Sequence, residues 1–151
     1  MAFWDASAIV PLCVHQPATG ALGRLVRKHG RLVVWWGTTV EVRSALSRLA
    51  RERAMRAEGH DRALARLAVL RRTWAEVLPT ERVRSLAEEM PRQYDIRTGD
   101  AWQLAAAVVW CKERPRQRPF VCFDRRLAEA AARVGFAVIA GFPERSGSEH
   151  S

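Results

Sequence analysis

Two aspartates of this 151-residue chain directly follow strongly apolar runs of sequence. Asp5 follows Ala2–Trp4, and Asp124 follows Phe120–Phe123, two runs whose composition predicts buried strands. A carboxylate held so close to a sheet core needs a compensating partner, because moving a charge out of water is costly. Both residues are therefore candidates for chemistry, and metal binding is the chemistry that would compensate the charge.

Two further acids, Glu41 and Asp100, stand near the start of predicted helices. Glu41 follows the β-rich run Leu32–Trp36, and Asp100 opens an apolar helix to about Cys111. Either acid could simply cap its helix, a role worth about 1 kcal/mol. Thr38 to Glu41 also fits the Thr-x-x-Glu capping box, so that Glu41 considered by itself is better explained as a cap than as a ligand.

The four acids can meet in space if the strands form a parallel sheet. The carboxyl ends of parallel strands share one edge, and ligands bind at that edge where the strand order reverses. Two carboxylates about 5 Å apart, at an effective dielectric constant near 20, repel by roughly 3 kcal/mol. Four together require protonation or a cation, and an all-oxygen site selects a hard ion, Mg²⁺ or Mn²⁺. Such a site is suited to phosphodiester hydrolysis.

Strand and helix patterns alternate along the chain, which predicts an α/β fold: a three-layer α/β/α sandwich around a central parallel sheet. Gly59 is expected to end one helix, and Asp61 to cap the next without a strand before it. We expect one domain over residues 1–143 and a disordered tail over 144–151. The predicted elements are strands Ala2–Trp4, Leu32–Trp36, Phe120–Phe123 and Phe136–Ile139, and helices Ser7–Val14, Thr19–His29, Val40–Ala57, one after Asp61, Thr80–Met90, Asp100–Cys111 and Arg125–Val134.

Composition favours a polyanionic partner. The net charge is +9, and without the four candidate ligands 12 acids face 25 bases, a remainder of about +13 that suits nucleic acid. Three cysteines without CxxC spacing suggest a reducing cytoplasm, and the histidines show no zinc-ligand spacing. We expect no signal peptide and no membrane span.

Four sequence stretches together resemble the PIN domain, and more narrowly the VapC toxins of bacterial VapBC toxin–antitoxin modules. The resemblance covers Ala2 to about Phe142, with the motifs in order and at family-like spacing. The stretches that carry it are Phe3–Val10, Thr39–Leu46, Gly99–Ala107 and Phe123–Ala131.

The resemblance implies a Mg²⁺- or Mn²⁺-dependent endoribonuclease whose acidic quartet is Asp5, Glu41, Asp100 and Asp124. It also implies a VapB-like antitoxin that blocks the acidic site, with RNA as substrate, and we expect a homodimer. The family's small hydroxyl residue corresponds to Ser7, which could orient Asp5 or be an ordinary serine at a helix start. Some PIN domains carry a further acid after the fourth, but here arginines follow Asp124, so one-metal and two-metal mechanisms stay open.

Arginines near the acids are candidate phosphate contacts, which would give affinity without sequence choice. An ordinary solvated helix face is the alternative, and it is preferred for the run Arg62–Arg72, together with antitoxin or dimer contacts. Among six tryptophans, Trp36 beside Gly37 is the best candidate for an exposed role. The candidate RNA-binding residues are Arg43, Arg97, Arg125 and Arg126.

Two other classes of protein also place acids at the ends of strands or share the fold. A dehalogenase-like phosphatase needs Asp-x-Asp after the first strand, and Asp5-Ala6-Ser7 does not provide it. A non-catalytic PIN-fold module that binds RNA or protein is the remaining alternative, against which the intact quartet argues. The RNA target is not readable from sequence, because base recognition depends on loop shape.

Overall fold

The computed structural model describes residues 1–15 and 20–141 of the chain. Strands and helices alternate along most of this part, as the sequence predicts. In chain order the elements are β1 (Ala2–Trp4), α1 (Ala6–Val14), α2 (Ala21–His29), β2 (Leu32–Trp35), α3 (Thr38–Arg51), α4 (Ala57–Thr73), β3 (Ala75–Val77), α5 (Glu81–Tyr94), α6 (Thr98–Trp110), β4 (Pro119–Cys122), α7 (Arg125–Val134) and β5 (Ala137–Ala140).

The five strands form one sheet in the order β3-β2-β1-β4-β5, and every neighbouring pair is parallel. The chain builds outward from β1 through β2 to β3, then returns to place β4 on the other side of β1. Phe3 therefore pairs with Val33 on one side and Phe120 on the other. The strand order reverses between β1 and β4, which is where a ligand site is expected in such a sheet.

Alternate residues of the strands feed two separate hydrophobic cores. On one face, Phe3 and Phe120 stack at a centroid distance of 5.4 Å and pack against α5, α6 and α7. On the other face, Trp4 and Val121 pack against α1, α3 and α4. The predicted three-layer α/β/α sandwich is thus confirmed.

The sequence pattern does not predict strand β3. Strand β3 is only three residues long, contains the polar Glu76, and pairs with β2 at the sheet edge. Its pattern is too short and too polar for a period-two signal, as is common for strands at the edge of a sheet. The predicted last strand is shifted by one residue, to Ala137–Ala140.

The boundary between the third and fourth helices was predicted wrongly. Helix α3 ends at Arg51 rather than at Ala57, and α4 begins at Ala57. Gly59 and Asp61 therefore lie inside α4, where neither breaks nor caps a helix. Arg53 lies in the turn between the helices and has a φ of 56°, in the left-handed region. The sequence does not predict this conformation, because arginine rarely adopts it.

Two predicted helix starts also differ. Helix α6 begins at Thr98, so Asp100 lies in its first turn rather than opening it. Helix α3 begins at Thr38 after Gly37, with no side-chain cap, so the Thr-x-x-Glu capping box does not form. The cap explanation of Glu41 is therefore wrong.

Some predictions fall outside the described residues, namely the helix start at Thr19, the domain limit at residue 143 and the tail 144–151. Within the described part, Cys13, Cys111 and Cys122 are buried free thiols. No helix there is long and apolar enough to span a bilayer.

Candidate active site

The four predicted acids line a single cleft at the carboxyl edge of the sheet. The cleft has a volume of about 530 Å³ and lies beside the reversal in strand order between β1 and β4. Four separate elements deliver the acids, which is why they meet despite their distance in sequence. Its lining residues are Asp5, Ala6, Ser7, Val10, Val40, Glu41, Ser44, Ala45, Arg48, Asp100 and Asp124.

Asp5 is the most buried of the four acids, with 4% of its surface exposed. It directly follows β1, and its backbone N–H donates to the carbonyl of Val121 on β4 at 3.0 Å, which fixes it at the strand reversal. It is also the N-cap of α1, where its Oδ2 accepts from the Ser7 N–H at 3.0 Å. Asp5 is thus both a cap and a cleft residue.

Ser7 connects Asp5 to the loop after β4. Its hydroxyl donates to Asp5 Oδ2 and accepts from the backbone N–H of Phe123 at 2.9 Å. A serine that merely starts a helix would not bridge two strands in this way. The structure therefore favours the reading in which Ser7 orients Asp5.

Glu41 is held by a buried polar pair that sequence reasoning overlooked. Gln103 is completely buried on α6, and its Nε2 donates to Glu41 Oε1 at 3.2 Å and to Thr38 Oγ1 at 3.0 Å. Gly99 faces the Glu41 carboxylate, where a Cβ would lie 3.8 Å from Oε2. Gln103 falls one turn after Asp100 in an otherwise apolar helix. Such an isolated buried amide is the signal that could have identified it.

Asp100 and Asp124 complete the cleft from its other side. Asp124 is exposed and caps α7, with its Oδ1 accepting from the Leu127 N–H at 2.9 Å. Asp100 is half-buried in the first turn of α6. The charge of Asp124 contributes to raising the pKa of Asp100, after burial as the larger cause, so the two carboxylates are near each other.

Burial and mutual repulsion disfavour the charged forms of the acids. Burial raises the pKa of Asp5 to about 6, opposed by the hydrogen bonds from Ser7 and reinforced by Asp100. Burial and then the charge of Asp5 raise the pKa of Glu41 to about 7, against the hydrogen bond from Gln103. The site is therefore short of positive charge in the absence of a ligand.

The candidate RNA-binding arginines occupy different positions. Arg97 and Arg126 are near enough to Asp100 to lower its pKa. Arg125 is exposed and lies 3.9 Å from Glu129 on its own helix, and Arg43 is exposed but does not line the cleft. The arginine that does line it is Arg48, two turns after Glu41 on α3.

The donor set of the cleft fits a hard divalent cation. It offers four carboxylates, and no Lys, Arg or His of the described residues forms an ion pair with any of them. Within those residues no group of three or more His, Cys, Asp or Glu is already arranged around one ion position. Binding would therefore require side-chain rotation that draws the carboxylates together.

A family comparison agrees with the resemblance read from the sequence. The family model of the PIN domain matches residues 2–133, which includes all four acids. This chain therefore belongs to the PIN domain family, whose members are generally nucleases. No curated protein matches the chain.

Two solved structures share the fold at low sequence identity. A toxin–antitoxin complex from Klebsiella pneumoniae is 13% identical with a TM-score of 0.58, over 82% of this chain and 87% of that one. The protein PAE2754 from Pyrobaculum aerophilum is 19% identical with a TM-score of 0.63, over 92% of this chain and 87% of that one. At these identities the likeness concerns the fold alone.

Proposed function

We propose that this chain is a Mg²⁺- or Mn²⁺-dependent endoribonuclease that acts as the toxin of a toxin–antitoxin pair. The observation that carries the proposal is that four carboxylates line one cleft and that none of them forms an ion pair within the described residues. Membership of the PIN family supports a hydrolase that acts on nucleic acid. The basic remainder of the chain supports a polyanionic substrate.

The roles we propose follow from the position of each side chain. Asp5, Glu41, Asp100 and Asp124 would hold the cation. Bound Mg²⁺ or Mn²⁺ would activate a water molecule and neutralise charge on the phosphoryl and leaving oxygens. Ser7 keeps Asp5 in place, and burial excludes competing water from its carboxylate.

Arg48 is the cleft arginine placed to contact a phosphate, while Arg97 and Arg126 would act from the Asp100 side. Because arginines rather than an acid follow Asp124, we propose one protein-held ion, with any second ion arriving with the substrate.

The toxin role is supported by the fold shared with the Klebsiella complex, which is described as a toxin–antitoxin complex. We propose a VapB-like antitoxin as partner, a homodimer as the working assembly and the cytoplasm as the location. A non-catalytic PIN-fold module that binds RNA or protein is the competing proposal, and it differs in one measurable respect because it needs no ion for its activity.

The proposal is tested with purified chain and a mixture of cellular RNA. We expect Mn²⁺-dependent cleavage that EDTA stops, and mapping of the new 5′ ends would identify the target. An Asp100→Asn variant serves as the matched control and should be inactive. Expression in cells should arrest growth with the native chain only, and equal arrest by Asp100→Asn would refute catalysis as the cause.

A further inference from the structure

Three exposed apolar side chains lie at the carboxyl edge of the sheet, and one of them is part of the lining of the acidic cleft. Trp36 is 54% exposed, Leu78 58% and Val40 72%, and Val40 itself lines the cleft. Trp36 follows β2 and Leu78 follows β3, and the Trp36 N–H donates to the Val77 carbonyl at 3.0 Å, which brings the two strand ends side by side. We call Trp36, Val40 and Leu78 the rim patch.

The ring of Trp36 contacts the first of two stacked tryptophans, Trp35 and Trp102. The Trp36 ring meets the edge of Trp35 at a centroid distance of 6.5 Å and an interplanar angle of 72°. Trp35 in turn stacks on Trp102 at 5.3 Å and 5°, and Trp102 lies two residues after Asp100. The exposed indole therefore contacts an aromatic stack that reaches α6, the helix that carries Asp100.

The three apolar side chains of the rim patch do not by themselves identify a protein interface, which uses about 20–30 residues on each side. The other exposed large hydrophobic residues of the described part lie elsewhere. Met1 precedes β1 at the opposite end of the strand, and Val69 is on α4 beside a separate groove.

A flat, exposed indole at the same edge of the sheet as the acidic cleft matches the chemistry of an unpaired nucleobase. Sequence-tolerant recognition of single-stranded RNA relies on aromatic side chains that stack on bases splayed out of a helix. Arg43 is exposed and lies three residues after Val40 on α3, so it presents a cation on the same side of the helix. A phosphate group next to the stacked base would lie close to the positive charge of Arg43.

We infer that the rim patch is a nucleobase subsite, in which Trp36 stacks on an unpaired base of RNA whose backbone enters the acidic cleft. This inference deepens the proposed ribonuclease function and rests on it.

Binding is measured in the Asp100→Asn chain, which would not cut the probe. The probe is a fluorescein-labelled, random-sequence single-stranded RNA of about 12 nucleotides. We expect Trp36→Ala to weaken its binding about tenfold, and Trp36→Phe to keep most of it, because a phenyl ring still stacks. Binding of a duplex RNA of equal length should not change. Val69→Ala removes an equally exposed apolar side chain and should have no effect.

Unchanged affinity of Trp36→Ala for the single strand would overturn the inference. So would a change in particle mass by light scattering with unchanged RNA affinity, because the patch would then be a protein interface. Failure of the proposed function is distinguishable: a native chain that cleaves no RNA, yet binds the single strand through Trp36, would keep the subsite and refute the nuclease. In an active chain, Trp36→Ala should raise KM about tenfold and leave kcat nearly unchanged.

Discussion

Gln103 Nε2 lies 3.2 Å from Glu41 Oε1, and this contact joins α6 to α3 across the floor of the candidate site. The second N–H of the same amide is taken by Thr38 Oγ1 at 3.0 Å. The Gln103 Oε1 atom has no partner within the described residues. A completely buried amide with one unpaired atom is costly to keep, and orienting the Glu41 carboxylate is the role that its contacts indicate.

Gln103→Leu removes this hydrogen bond while filling much the same volume. We expect Mn²⁺ affinity to fall about tenfold, the scale typical of lost support for a metal ligand. Isothermal titration of the variant with Mn²⁺ measures the loss.

A double-mutant cycle separates positioning from general damage to the fold. If Gln103 acts through Glu41, adding Gln103→Leu to Glu41→Gln should cause no further loss of Mn²⁺ affinity. Leu104→Ala, at a buried neighbour on the same helix, should lower stability and leave metal affinity intact. If Gln103→Leu lowers Mn²⁺ affinity equally in the native chain and in Glu41→Gln, that result would argue against a positioning role for Gln103.

Asp5→Asn should stabilise the chain when no metal is present. Burial raises the pKa of Asp5 to about 6, so its ionised form costs on the order of 3 kcal/mol at neutral pH. An asparagine oxygen can still accept from Ser7 without that charge. In EDTA at pH 8, the midpoint of thermal unfolding should shift upward by about 6–12 °C. Asp61 is exposed, so Asp61→Asn is the control, and its midpoint of thermal unfolding should not shift. A lower midpoint for Asp5→Asn than for the native chain would contradict the argument.

The metal-free stability should fall as pH rises. Folded Asp5 and Glu41 have pKa values raised to about 6 and about 7, so the folded state binds more protons than the unfolded state between pH 4 and pH 7. Proton binding makes its full contribution to the free energy of unfolding below pH 4. That contribution is lost as the pH rises through the pKa values of Asp5 and Glu41 in the folded state. Urea unfolding in EDTA measures the free energy of unfolding of the native chain and of Asp5→Asn. The difference between these two free energies should grow from pH 5 to pH 7. A constant difference would be evidence against raised pKa values.

Ser7→Ala should cost more than the loss of an exposed hydroxyl. It removes the bridge between Asp5 Oδ2 and the Phe123 N–H, so we expect a loss of about 1–3 kcal/mol in the free energy of unfolding. The rate of RNA cleavage by Ser7→Ala should also fall, because Asp5 loses its fixed orientation. Ser44→Ala removes an exposed hydroxyl from the same cleft and should cost below about 0.5 kcal/mol. Similar losses for the two variants would exclude a special role for Ser7.

The sequence predicted the acids of the site better than their supports. Asp5 and Asp124 stand after apolar strands, and a parallel sheet brings strand ends to one edge, so local pattern and topology were sufficient. Gln103 could not be assigned to Glu41 in the same way, because 62 residues separate them and only the packing of α6 on the sheet decides the contact. Arg48 was likewise one of several arginines until the helix face was known.

The errors in the fold likewise arise where tertiary contacts outweigh the local sequence pattern. Strand β3 carries too few residues to show alternation, and its pairing with β2 is a tertiary contact. Gly59 and Asp61 are weak helix formers that a 17-residue helix tolerates once Ala63 and Leu67 pack in the core. In both places packing overrode the local preference.

The most direct test of a single metal site built from the four acids is titration of the native chain and its Asp5→Asn variant with Mn²⁺ by isothermal calorimetry, with Asp61→Asn as the charge-matched control. We predict binding of one Mn²⁺ by the native chain and by Asp61→Asn, and loss of that binding in Asp5→Asn. Absence of Mn²⁺ binding by the native chain, or equal binding by Asp5→Asn, would contradict the account.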